Sequence, residues 1–142
     1  MVKTIYLVAG KRAIKHSIHD GGLWANVGQT ERSAKQRLAD DDYRKKSNGG
    51  KWQVIKTWKV ESYVSDCDLH KILKSDKYTG KVKWDPDSYN TEEFQFIGDD
   101  GTGNVAIDII QKELEKVSDW VLLETMKAAN KLRQEVIKVL IQ

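Results

Sequence analysis

The chain has one cysteine, Cys67, and one proline, Pro86, among 142 residues. A lone cysteine excludes a disulfide framework within the chain and a cysteine-based zinc site. It makes a reducing interior the default, and such a residue reads first as a small buried filler rather than a nucleophile. No apolar run approaches the roughly 20 residues that a membrane span needs, and the apolar part of "MVKTIYLVAGKR" is too short for a secretory signal. Histidine is scarce too: His16, His19 and His70. Together with Cys67 they keep none of the usual zinc-ligand spacings. There is no internal repeat and no low-complexity tract.

What remains is enough for one modest core. Hydrophobic residues make up 39% and charged residues 32%, a mixture that neither a disordered chain nor a membrane protein has. The net charge of +3 hides an asymmetry: residues 1–59 carry +8 and residues 60–142 carry −5. A basic half suggests an anionic partner, with nucleic acid the commonest; exposed lysines that only solubilise are the plainer reading.

"TIYLVA" is rich in β-branched and aromatic residues and predicts a buried strand. "GKRAIKHSIHDGG" predicts a long loop. "LWANVGQ" predicts a second strand antiparallel to the first. Thr30 or Ser33 then caps a helix whose apolar face is Ala34 and Leu38. After the break at "SNGG", "KWQVIKTWKV" predicts a third strand. "SDCDLHKILKS" predicts a short helix capped by Ser65 or Asp66, with Leu69, Ile72 and Leu73 as its apolar face. Short extended pieces fall around 81–84 and 92–97. From Asn104 onward, apolar residues recur at three- to five-residue steps and predict one long helix or two consecutive ones. The expectation is an α+β fold with a small antiparallel three-stranded sheet flanked by helices: a domain over 1–100 and a helical extension over 104–142. That extension covers the sheet, mediates a homodimer, or attaches the domain to a larger protein.

The ordered pieces over roughly residues 4–97 resemble the GIY-YIG endonuclease superfamily, in its phage- and helicase-associated branch. "TIYLV" is similar to the first motif, with Tyr6 at its tyrosine. "NVGQT" is similar to the second, with Gly28 at its glycine and Thr30 following. "SAKQRL" supplies the helical arginine, Arg37. "SDCDLHKIL" and "NTEEF" resemble the Leu-His helix and the Glu-x-Phe strand, with His70 and Glu92 at the matching positions. The sequence departs from the pattern at Thr4, at Asn26 (which stands where the second motif has a tyrosine) and at the Glu93–Phe94 pair.

The resemblance implies an intracellular, bacterial or phage-encoded DNA endonuclease. Phosphodiester hydrolysis builds negative charge on phosphorus, and a fixed guanidinium stabilises that charge. Arg37 takes this role in the resemblance, Tyr6 assists the attacking water as base or relay, and His70 moves a proton or binds a phosphate oxygen. Glu92 holds Mg²⁺ or Mn²⁺, with Asp66 as rival ligand. Adjacent residues of a strand point to opposite faces, so of Glu92 and Glu93 one is expected to face the site. Lys11, Arg12 and Lys15 in the long loop, and Arg44, Lys45, Lys46 and Lys51 after the arginine helix, would contact DNA phosphates. The alternative is a nuclease-fold module that binds DNA without cutting it, a reading that Asn26 favours.

Overall fold

Five β-strands form one antiparallel sheet in the order β3-β1-β2-β5-β4. The computed structural model describes residues 2–10, 21–40, 43 and 52–141. The strands are β1 (Val2–Ala9), β2 (Leu23–Thr30), β3 (Gln53–Glu61), β4 (Val82–Lys83) and β5 (Glu93–Phe96). Among the described residues the helices are α1 (Ala34–Leu38), α2 (Asp66–Leu73), a 3-10 turn (Asp76–Tyr78) and α3 (Asn104–Ile141). The α+β class and the antiparallel sheet agree with expectation. The sheet has five strands where the sequence suggested three. The short pieces near 82 and 93 pair with each other, and β5 completes the outer edge of β2. Unpaired backbone groups in a covered sheet are costly, and this addition satisfies them.

β1 is buried on both faces. Alternation sends Ile5 and Leu7 to one side and Tyr6 and Val8 to the other. The first side is the larger core. Leu69 and Leu73 of α2 pack there with Ala106, Ile110 and Leu114 of α3 and with Val27, Phe94 and Phe96 of the sheet. Residues 106, 110 and 114 stand four apart, so one stripe of α3 faces the sheet. The second side is a small cluster of Tyr6, Val8, Ala34 and Tyr43, flanked by Leu38 and Trp52.

α3 is one uninterrupted helix of 38 residues, roughly 57 Å long at the usual rise. Its N-terminal turns hold it to the core. Tyr78 donates to Glu113 at 2.5 Å, and Lys77 pairs with the same carboxylate. Residues 130–140 are exposed, including Leu132, Val136, Val139 and Leu140.

The helix begins in "GDDGTGN". Gly103 has φ +91°, and a Cβ there would lie 2.5 Å from Ile55 Cγ2, so only glycine fits without displacing β3. Asp99, 4% exposed, accepts four backbone N–H groups: Gly101 and Gly103 on one oxygen, Val105 and Ala106 on the other, at 2.8–3.1 Å. The first N–H groups of a helix lack intrahelical partners, and a carboxylate also favours the positive end of the dipole.

Two cap readings resolve. Ser33 caps α1 through a capping box with Gln36, while Thr30 ends β2 and accepts from the backbone of Arg32 at 3.1 Å. Ser65 caps α2, accepting from the Cys67 N–H at 3.1 Å. Asp66 is therefore the first helical residue, not the cap. Cys67 is exposed on this helix, contrary to the buried-filler expectation, because the core-facing positions belong to Leu69 and Leu73.

Asp99→Ala is expected to lower unfolding stability by about 1–2 kcal/mol, the usual cost of losing a helix cap. Urea denaturation followed by circular dichroism measures it, and an unchanged midpoint would mean that the four contacts contribute nothing.

Candidate active site around Gly28

Tyr6 and Gly28 face each other across β1 and β2. With no Cβ on Gly28, the Tyr6 ring lies across that position and its hydroxyl donates to Glu92 Oε1 at 3.2 Å. A Cβ on Gly28 would stand 2.2 Å from that carboxylate oxygen and 2.3 Å from the phenolic oxygen. Gly28 is therefore the floor on which a phenol and a carboxylate from segments 86 residues apart meet.

Glu92 reaches this point because its carbonyl accepts from the Val27 N–H at 2.9 Å, extending the β2–β5 pairing by one residue. Its side chain is only partly buried. The expectation that Glu92 and Glu93 take opposite faces is corrected here. β5 begins at Glu93, so strand alternation does not reach Glu92. Glu93 pairs with Asn26, and cross-strand partners share a face, so it lies on the Tyr6 side. It is 6% exposed.

Arg37 comes from α1, which covers this face. Its guanidinium sits 4.7 Å from the centroid of the Tyr43 ring and bonds Asp40 at 3.0 Å. Arg32 also binds Asp40, and hydrogen bonds from Arg32 and then Arg37 hold that carboxyl below its usual range. Tyr43 was not singled out in the sequence, yet it is fully buried and stands edge-on to Tyr6, with ring centroids 5.7 Å apart at 81°. Successive three-residue backbone bonds, Asp40 to Arg37 and Tyr43 to Asp40, stack residues 37, 40 and 43 on one side. That spacing was the available signal.

Asn26 and Asn90 exchange two side-chain hydrogen bonds of 3.0 Å, both buried, and Asn26 Nδ2 also approaches the Tyr43 hydroxyl at 3.4 Å. Asn90 is a second residue that sequence reading missed. It lies in a turn with no periodicity to mark it.

His70 and Asp66 do not join this group. Both are on α2, which packs on the other face of the sheet. His70 Nε2 lies 2.6 Å from the Val27 carbonyl, and its ring lies 5.1 Å from Phe94, so that nitrogen braces β2 from behind. The Asp66 N–H donates to Gln29 Oε1 at 3.1 Å, and Lys3 donates to the same oxygen at 2.8 Å. Lys11, Arg12, Lys15, Arg44, Lys45, Lys46 and Lys51, with His16 and His19, lie outside the described residues.

The site's phenols are proton-holding groups. Burial first, and then the nearby Glu92 carboxylate, push Tyr6 far above its ordinary value; the Arg37 charge and a hydrogen bond from Tyr43 pull it down by less. Burial, Glu92 and Tyr6 raise Tyr43 further still. At neutral pH both are neutral donors, and the reading of Tyr6 as a ready base gives way to one as a relay. Among the described residues no three His, Cys, Asp or Glu side chains group to hold a metal. No helix there is long and apolar enough to cross a membrane.

Comparison with protein-family models, curated proteins and solved structures finds no match.

The raised phenols give a stability prediction with a definite sign. Below pH ~10, the ordinary tyrosine value, folded and unfolded chains both keep these protons and the contribution is fully present. Above it the unfolded chain releases protons that the folded one retains, so stability falls as pH rises. Between pH 10.5 and 11.5 the wild type should lose stability more steeply than Tyr43→Phe, by up to about 1.4 kcal/mol per pH unit. Urea midpoints across that range test it, and equal slopes would contradict it.

Proposed function

We propose that the chain is a DNA endonuclease domain of the GIY-YIG type, hydrolysing phosphodiester bonds. The observation that carries this reading is the meeting of Tyr6 and Glu92 over Gly28, with Arg37 lying against Tyr43 beside them. These are the residues that the motif resemblance selects from distant segments, and they share one face of the sheet. The basic balance of residues 1–59 suits a polyanionic substrate.

In this reading the scissile phosphate lies against the Tyr6 face. Arg37 binds its non-bridging oxygens and stabilises the charge that grows during attack. Asp40 fixes the guanidinium from one side and the Tyr43 ring supports it from another. The Tyr6 oxygen receives a proton from the attacking water while its own proton passes to Glu92 Oε1, which needs no free phenolate. Glu92 would hold a divalent cation. A single partly exposed carboxylate over a bare Cα suits Mg²⁺ or Mn²⁺, ions that complete their shells with water and phosphate oxygen. Bound there, the ion would supply Lewis-acid neutralisation of phosphate charge. His70 takes a supporting role behind β2, and Asp66 no role in the chemistry.

Plasmid nicking with Mg²⁺ or Mn²⁺ tests the proposal. Arg37→Ala should cost about a hundred-fold or more in rate. Gly28→Ala forces Tyr6 and Glu92 apart and should cost at least about tenfold, while the thermal midpoint stays within a few degrees, since the atoms displaced are side-chain ends. A few-fold effect of Arg37→Ala would remove Arg37 from the reaction. Salt-sensitive DNA binding without nicking would favour the non-cutting module instead.

A further inference from the structure

Tyr43 is buried where only volume is needed for packing, yet it carries a hydroxyl. A phenylalanine would fill the same space without a polar group to satisfy. Its surroundings are polar as well. Asn26, Asn90, Tyr43 and Tyr6 form one buried hydrogen-bonded run beneath the candidate site. The direction of that run is fixed by its ends. Asn26 has two amide protons: one goes to Asn90 Oδ1 at 3.0 Å and the other points to the Tyr43 oxygen at 3.4 Å. Asn90 locks the orientation by donating to Asn26 Oδ1 at 3.0 Å. With its oxygen accepting from Asn26, Tyr43 donates its own proton to the Tyr6 oxygen. Tyr6 in turn donates to Glu92.

We infer that Tyr43 is a positioning residue: its hydroxyl orients the Tyr6 phenol toward Glu92, its ring supports Arg37, and the Asn26–Asn90 pair holds it in place. This inference rests on the nuclease reading. It turns Asn26 from a lost phenol into part of a rewired support: β2 contributes the amide, and the segment after α1 contributes the second phenol. A chain of donors that ends on a carboxylate polarises each link in turn. It leaves the Tyr6 oxygen with its proton aimed away and a lone pair toward the cleft. Tyr43 also joins the two halves of the site, since the ring beside Tyr6 is the ring on which the guanidinium rests.

A double-mutant cycle in single-turnover nicking separates positioning from packing. Tyr43→Phe keeps the ring and should lower the rate constant about tenfold, in the range seen when outer partners of reactive groups are removed, with half-saturating DNA concentration within about twofold. Because Tyr43 acts through Tyr6, adding Tyr43→Phe to Tyr6→Phe should cost nothing further. Should Tyr43→Phe unfold, Asn90→Ser carries the same test from the other end of the run: a loss that also vanishes on the Tyr6→Phe background. Tyr43→Phe within twofold of wild type, or losses that multiply in the double variant, overturn the inference. If these appear while Arg37→Ala still abolishes nicking, the nuclease reading stands without it. A wild-type protein that does not nick overturns both.

Discussion

The space over Gly28 is the constraint on which the site depends. A methyl group there would occupy the positions of the Tyr6 hydroxyl and the Glu92 carboxylate at once. Strand pairing puts Tyr6 opposite this glycine, and the Val27–Glu92 backbone bond brings the carboxylate to the same point from the far side of β2. Gln29 and Thr30 then finish the strand with separate tasks. Gln29 joins β1 and the start of α2 through one oxygen, and Thr30 opens the turn that leads to α1 and Arg37. The run Gly-Gln-Thr thus makes room, braces and turns, in that order.

The two faces of the sheet divide the work. On one, α2 and α3 bury aliphatic and aromatic residues in a cluster that supplies most of the hydrophobic stabilisation. On the other, a small cluster of aromatics is threaded with amides and carboxylates. Buried polar groups cost stability unless each finds a partner, and here they find one another. The larger core offsets that cost and lets the thin side be specialised. His70 belongs to the supporting face, where its contact with the Val27 carbonyl steadies the strand that carries Gly28.

Long periodic segments were legible in the sequence. β1 and β2 declared themselves by β-branched and aromatic content, α2 by Leu69, Ile72 and Leu73, and α3 by an apolar stripe without proline. The size of the sheet was not legible. Strands of two and four residues carry almost no periodic signal, and their pairing depends on contacts with distant segments. Tyr6, Gly28, Arg37 and Glu92 came from a motif pattern and do lie together. His70 and Asp66 came from the same pattern and lie on the other face, because a match along the chain does not say which side of a sheet a helix will cover. Glu93 was set aside by a rule of alternation that applies only inside a strand. Tyr43 was passed over because its importance arises when the chain folds back on Tyr6.

The central claim is that a phenol, a carboxylate and a guanidinium on one face of this sheet enclose a scissile phosphate. A crystal structure of the protein with a phosphorothioate-protected DNA duplex and Mn²⁺ tests it most directly. The account predicts a backbone phosphate over Gly28, within hydrogen-bond distance of Arg37 and Tyr6, with the ion on Glu92. A phosphate bound on the α2–α3 face, or one over Gly28 that touches neither side chain, would contradict it.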